Sequence, residues 1–312
     1  MQAIVEQYKS QIQSATADKS PLRLRGGGSK DWYGETPVGA LLDTRAYAGI
    51  IDYEPTELVI TARCGTPLAQ IEAALAEQRQ MLAFEPPHFG PGATLGGMLA
   101  CGLSGPRRAS AGALRDFVLG AVLMDGRGER LAFGGQVMKN VAGYDVSRLL
   151  AGAMGTLGLV LEASLKVLPL PFAETTLRFA MSEIDALTKL NAWAGQPLPI
   201  SASCWHDGVL TLRLSGAQAA VNAARQKLGG DIVNDAAAFW LTLREQTHPF
   251  FADDVTAGRA SLWRLSVPSN ASALVLKGQQ LIEWGGAQRW LKLDAAADPD
   301  LATRIRTIAA AA

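Results

Sequence analysis

Residues 90–97 read Gly90-Pro91-Gly92-Ala93-Thr94-Leu95-Gly96-Gly97, and the chain continues to Cys101-Gly102-Leu103-Ser104-Gly105. No aspartate or glutamate occurs from Pro86 to Leu114. Glycines let a backbone come close to a ligand and turn successive N–H groups toward an anion. A loop without carboxylates spares that anion repulsion, so the pattern suits a diphosphate. Arg107, Arg108 and Arg115 follow and are the expected source of compensating charge. The 21 uncharged residues between Glu85 and Arg107 nominally suffice to span a bilayer. Four prolines (Pro86, Pro87, Pro91, Pro106) and six interleaved glycines exclude a membrane helix there.

Two more glycine clusters flank this loop. Leu22-Arg23-Leu24-Arg25 alternates like a strand and stops at Gly26-Gly27-Gly28-Ser29. Gly143-Tyr144-Asp145 is followed by Gly155-Thr156-Leu157-Gly158-Leu159-Val160, a glycine-kinked entry into a strand. The first cluster alone is a turn more often than a binding loop. As a dinucleotide fingerprint it fails, because Asp31 stands where the third glycine belongs and no helix opens; no GxxxxGK[ST] occurs either. Three such clusters, each beside a strand, are far more specific than one.

The elements around the loops alternate between strands and helices. Ile4, Val5, Tyr8 and Ile12 mark an N-terminal amphipathic helix. Leu58–Ala62 is a strand; Thr66 as N-cap and Pro67 in the first turn open a helix that buries Leu68, Ile71 and Leu75. Phe117–Met124 turns at Asp125-Gly126-Arg127-Gly128, and Leu157–Val167 is closed by Leu168-Pro169-Leu170-Pro171, which marks a domain boundary. Beyond it, Thr175–Ala180, a helix capped by Ser182, Ile200–Trp205, Val209–Leu214, the helix Ala217–Leu228 and Asp231–Asn234 follow the β-α-β-β-α-β order of a ferredoxin-like unit. The predicted fold class is α+β, with domains at 1–171 and 172–312.

Composition narrows the function classes. Twenty-nine lysines and arginines balance 29 aspartates and glutamates, which excludes a strongly basic nucleic-acid binder. With 48% hydrophobic residues, the 312-residue chain can bury a large core. Cys64, Cys101 and Cys204 are far apart, without a CxxC, so the sequence supports no metal or iron–sulfur site. No secretory signal or transmembrane segment is expected, and the predicted location is the cytoplasm.

The segments Arg25–Ser29, Gly92–Gly97, Val122–Gly126, Val141–Asp145 and Gly155–Gly158 resemble, in order and spacing, the FAD-binding domain of the vanillyl-alcohol oxidase (PCMH) type. Within that group the chain is similar to the FAD-binding E subunits of bacterial glycolate oxidases, and Glu283–Trp290 resembles their C-terminal half. The resemblance implies two α+β subdomains over residues 1–171 gripping an extended FAD. Gly26, Gly27, Gly28, Ser29, Thr94, Gly96 and Gly97 would contact its diphosphate. Residues 102–112, with Gly102, Ser110 and Gly112, would line the flavin side, and Gly158 and Val160 would meet adenine or ribose. Some relatives attach flavin to a histidine; none stands at positions 25–30, so non-covalent FAD is expected.

The implied activity is oxidation of glycolate, and of D-lactate, to the 2-keto acid. The implied partners are a second, catalytic FAD-containing subunit and an iron–sulfur subunit, with the complex peripheral at the inner membrane. Met154 stands where catalytic relatives carry an acid, there is no His-x-His, and the Ala309–Ala312 run closes the second domain earlier than is usual in the family, which reads as a truncation. A stand-alone FAD-dependent hydroxy-acid dehydrogenase and a non-catalytic scaffold subunit are the alternatives. No catalytic residue is assigned. His88 is expected to face water near the loops, His206 to be exposed in a hairpin, and His248 to stabilise a helix C-terminus. Tyr144 and Asp145 are candidate positioning residues; Trp240, Trp284 and Trp290 are expected in the core, with a redox-partner border as the alternative.

Overall fold

The computed structural model describes residues 1–135, 144–251, 260–294 and 300–312; Val141, Ala142 and Gly143 of the glycine-tyrosine motif lie outside them. The chain divides into two compact units, Met1–Ser104 with Gly112–Leu170, and Gly105–Ala111 with Pro171–Ala312. Its first elements are α1 (Gln2–Ala17), β1 (Leu22–Arg25), β2 (Ala40–Asp43), β3 (Ile50–Glu54), β4 (Val59–Arg63), α2 (Leu68–Glu77), β5 (Gln80–Met81) and α3 (Leu95–Cys101). The short α4 (Arg108–Ala111), which belongs to the second unit, precedes β6 (Val118–Met124), β7 (Arg130–Gly134), α5 (Val146–Leu149), β8 (Leu159–Lys166) and β9 (Leu168–Pro169).

In the first unit, β3-β4-β8-β6-β7 form an antiparallel sheet, β1 and β2 pair in parallel, and β5 pairs with β9. Helix α1 buries Val5, Tyr8 and Ile12, the face its periodicity predicts, in a core with Leu42, Tyr47, Met124 and Leu161. Tyr8 donates its hydroxyl to Asp43 O at 3.0 Å, and Gln13 and Thr16 bond the carbonyls of Arg127 and Gly126. Helix α2 buries Leu68, Ile71 and Leu75. Its start differs from expectation: Pro67 itself is the N-cap, and no side chain caps it. The Thr66 hydroxyl accepts from Gly49 N at 2.9 Å and donates to Gly49 O at 3.1 Å, so it pins a neighbouring turn.

The second unit continues with β10 (Ala173–Ala180), α6 (Glu183–Ala194), β11 (Ile200–His206), β12 (Val209–Gly216), α7 (Gln218–Leu228) and β13 (Asp231–Val233). It ends with α8 (Ala236–Arg244), β14 (Ala260–Ser266), β15 (Gln279–Glu283), β16 (Gln288–Asp294) and α9 (Leu301–Ala311). The seven-stranded antiparallel sheet has the order β13-β10-β12-β11-β15-β16-β14. Its first four strands give the ferredoxin-like arrangement, and the last three extend that sheet beyond β11. Ser182 accepts from Asp185 N and caps α6. Asp207 and Gly208, both at positive φ (49° and 73°), close the β11–β12 hairpin as a twist-matched two-residue turn requires.

Two histidine expectations are corrected here. His206 is half-buried, edge-on to His248 and Phe250 at 5.5 and 5.3 Å between ring centroids. The ring of His248 accepts from Phe250 N at Nδ1, and burial pushes its pKa down to about 4. It is neutral near pH 7 and supplies no cation to the helix end. Trp240 and Trp290 are core residues, with indole N–H groups donated to Thr176 Oγ1 and Glu283 Oε2. Among the described residues no helix is long and apolar enough to cross a membrane.

Candidate functional site

Strand β1 ends at Arg25 and delivers the Gly26–Ser29 loop directly against the Gly92–Thr94 loop. A Cβ on Gly26 would strike the Thr94 hydroxyl, and one on Gly27 would land on the Gly92 carbonyl. Gly28 has φ 74°, and a Cβ there would meet the Arg25 guanidinium. Both loops thus approach as only glycine permits. Leu68 N bonds Ala93 O, Leu95 N bonds Thr66 O and Gly96 N bonds Cys64 O, which fastens the second loop to the β4–α2 turn. A Cβ on Gly96 would lie 2.9 Å from Cys64 Cβ. The third cluster is tied to α3 by Gly152 N to Leu99 O and Met154 N to Ala100 O.

These loops line two adjoining cavities that share Leu24, Arg25, Gly26, Gly97, Ala100, Met154 and Gly155, the two parts of one glycine-lined slot. The larger part, about 610 Å³, is bordered by Gly26, Gly27, Gly28, Ser29, Thr94 and Gly97. The smaller, about 80 Å³, is bordered by Gly26, Gly96, Gly97, Gly158 and Val160. Nine of the twelve candidate residues are thereby brought to one slot within the first unit. Gly102, Ser110 and Gly112 are not part of its lining. Gly102 ends α3 at φ 64°, Gly112 lies against Asp116 at φ 106°, and Ser110 belongs to the second unit, where its hydroxyl bonds the Ser201 carbonyl.

The donors are unevenly distributed. In α3 the amides of Leu95, Gly96 and Gly97 already donate to Thr66 O, Cys64 O and Thr94 Oγ1. Among the described residues, the amides of Gly26, Gly27, Gly28 and Ser29 have no protein acceptor. Four N–H groups without a protein acceptor, in a loop that borders the slot, suit a diphosphate, and the bare glycines there leave room for an extended dinucleotide. The residues present therefore fit FAD: Gly26–Ser29 would be the donors, and the Thr94–Gly97 turn would contribute mainly its small profile.

The charges differ from those expected. Arg107 is buried in the second unit and pairs with Glu174 at 3.0 Å; Arg108 stacks on Trp284, 4.3 Å from the ring centroid, and the Trp284 indole donates to Gly105 O. Arg115 lies exposed, 4.0 Å from Asp116. None of the three lines the slot; Arg23, Arg25 and Lys30 do. Arg25 is held by Asp31 at 2.7 Å. His88 does not face water: its Nε2 is 3.2 Å from Glu72 Oε2. Tyr144 is 94% exposed, and Asp145 caps α5. Burial pushes the Cys64 thiol up to about 12 and also raises Cys101, so neither is a ready nucleophile.

Comparisons with known proteins bear on the family. The family profile of the FAD binding domain matches residues 4–134. The glycolate oxidase subunit GlcE of Escherichia coli K12 is 52% identical over 291 residues, covering 93% of this chain and 80% of that protein. The glycolate oxidase subunit GlcD of Bacillus subtilis is 31% identical over 169 residues, 53% of this chain but 36% of that protein. A D-lactate dehydrogenase of Archaeoglobus fulgidus is 33% identical over 53% of this chain and 37% of its own length. Among solved structures, an alkyldihydroxyacetonephosphate synthase superposes with a TM-score of 0.72 at 16% identity, covering 97% of this chain and 68% of that one, which speaks to the fold. The glycine slot and the near-full-length likeness converge: this chain belongs to the GlcE family of FAD-dependent oxidoreductase subunits, and its cofactor is FAD.

Proposed function

We propose that this chain is the FAD-binding subunit of a complex that oxidises glycolate, and D-lactate as a second substrate, to the 2-keto acid. The observation that carries this reading is the 52% identity to GlcE over 93% of the chain, together with a slot whose unspent amides suit a diphosphate. Bound FAD supplies acceptance of a hydride from the alcohol carbon and release of the electrons one at a time. The protein's part is to hold and orient. Gly26–Ser29 donate to the diphosphate, the Thr94–Gly97 turn closes one wall, and Gly158 with Val160 border the narrow end. The partners in this reading are a second, catalytic FAD-containing subunit and an iron–sulfur subunit, since Cys64, Cys101 and Cys204 are dispersed and two of them are buried. Gly102 and Gly112, both in the first unit, remain the proposed flavin-side residues.

The test is an absorption spectrum of the purified full chain, with released flavin identified, followed by anaerobic glycolate or D-lactate, alone and with the co-expressed partner subunits. One FAD per chain, bleached by glycolate only in the presence of the partners, is the expected result. Bleaching by the chain alone would replace this reading with a stand-alone dehydrogenase. A colourless chain that takes up no added FAD yet still assembles would leave a scaffold.

A further inference from the structure

Lys30 follows directly on the Gly26–Ser29 loop, and its side chain is pulled inward: the residue is only 9% exposed and lines the larger part of the slot. Its ammonium is 3.4 Å from Ser29 Oγ, donates to His88 O at 3.2 Å, and sits 5.5 Å from the Phe89 ring centroid. The ring beneath it is fixed in turn, since Trp32 meets Phe89 edge-on at 5.1 Å. Two neutral oxygens and an aromatic face steady the ammonium at the slot wall. Of the two carboxylates in the lining, Asp31 is bonded to Arg25, and Glu35 is exposed. Arg23 also lines the slot, but from β1, ahead of the loop.

We infer that the Lys30 ammonium is the cation that neutralises the cofactor's diphosphate, completing the anion site begun by the Gly26–Ser29 amides. This assignment rests on the FAD reading above and adds to it the charge that backbone amides lack. It makes Lys30 a binding residue in a chain whose more obvious arginines, Arg107 and Arg108, belong to the second unit.

The experiment uses the full chain freed of flavin, with FAD and ADP affinities measured by fluorescence quenching and calorimetry at several salt concentrations. ADP carries the diphosphate without the flavin. Lys30→Met should weaken both ligands by about ten- to a hundredfold, the worth of a charge-assisted hydrogen bond. Lys30→Arg should recover most of that loss, and Arg23→Gln should change ADP affinity by less than about threefold. Wild-type affinity for ADP should fall as salt rises, a reading independent of whether any variant folds. Unchanged ADP binding in Lys30→Met, salt-independent wild-type binding, or an equal loss in Arg23→Gln would each overturn the assignment. A wild-type chain that binds ADP in this Lys30-dependent way but not FAD would overturn the FAD reading alone; one that binds neither overturns both.

Discussion

Replacing Gly27 by alanine tests whether the two glycine loops must touch for the slot to exist. The new Cβ would overlap the Gly92 carbonyl and lie 2.9 Å from the Gly92 α-carbon, where ordinary van der Waals separation begins at 3.4 Å. Restoring that separation alone moves one loop by half an ångström, and the carbonyl demands more. A flexible side chain cannot absorb this, since the three nearest atoms are all backbone of Gly92. Nor can the second loop retreat freely, because Leu68, Leu95 and Gly96 fasten it to the β4–α2 turn. Overpacking of this kind costs about 1–3 kcal/mol, with a rigid backbone neighbour at the upper end. In a unit of this size that lowers the melting temperature by roughly 4–12 °C. Because the loop displaced is the one with unspent amides, FAD affinity should fall by about a hundredfold or more, beyond the stability loss. Thermal melts of the flavin-free chain and FAD titration at a temperature where both proteins are folded give the two numbers. Gly126→Ala, where an added Cβ meets nothing within 4 Å, should match wild type in both. A Gly27→Ala chain that melts and binds FAD like the Gly126→Ala control would refute the claim that the loops' close approach builds the site.

Two further expectations concern the second unit. Arg289 is 1% exposed and donates to Gly286 O, Ser272 O and Ala271 O at 3.0, 2.7 and 2.6 Å; Arg289→Met should strand those carbonyls and cost about 3–5 kcal/mol, seen as faster hydrogen exchange over residues 268–293. The pKa of His248 is held below its ordinary value, at about 4, so between about pH 6.5 and 4 the unfolded chain binds a proton that the folded chain refuses. Stability from this group is intact above pH 6.5 and is lost as the pH falls toward 4, by an amount on the order of 1 kcal/mol after allowance for its partial exposure. His248→Gln should flatten the melting-temperature profile in that window, and an unchanged slope would show that the ring titrates like a solvent-facing one.

Much of this was legible from periodicity and turn chemistry. Val5, Tyr8 and Ile12 fall on one helical face, Ser182 is a true cap, and Asp207-Gly208 is a twist-matched turn, because each depends on residues close in the chain. Expectation and structure part where the partner is distant. Thr66 has every local attribute of an N-cap, yet Gly49 claims its hydroxyl from seventeen positions away. His206 looked exposed because its hairpin is a turn, and only the packing of Phe250 and His248 covers it. Arg107 and Arg108 follow the glycine loop immediately, but Glu174 and Trp284 draw them into the other unit. Lys30 follows the same rule: a lysine beside a loop is ordinarily a solvated one, and its anchor, the His88 carbonyl, is 58 residues on.

The same contrast explains why the slot could be found from glycines while its donors could not. A glycine marks a place where a side chain is forbidden, and that prohibition is written at the position itself. Whether the amide beside it is available depends on acceptors elsewhere. The TLGG turn has the more specific sequence, yet Thr66 O, Cys64 O and Thr94 Oγ1 consume the N–H groups of Leu95, Gly96 and Gly97. The plainer Gly26–Ser29 loop keeps its own. The division of labour that follows is one loop for space and one for bonds. It predicts that Thr94→Val, which removes a 3.3 Å cap without adding bulk, should cost about 1 kcal/mol of stability and leave FAD affinity nearly unchanged. A large loss of FAD affinity in Thr94→Val, with stability preserved, would return the donor role to the TLGG turn.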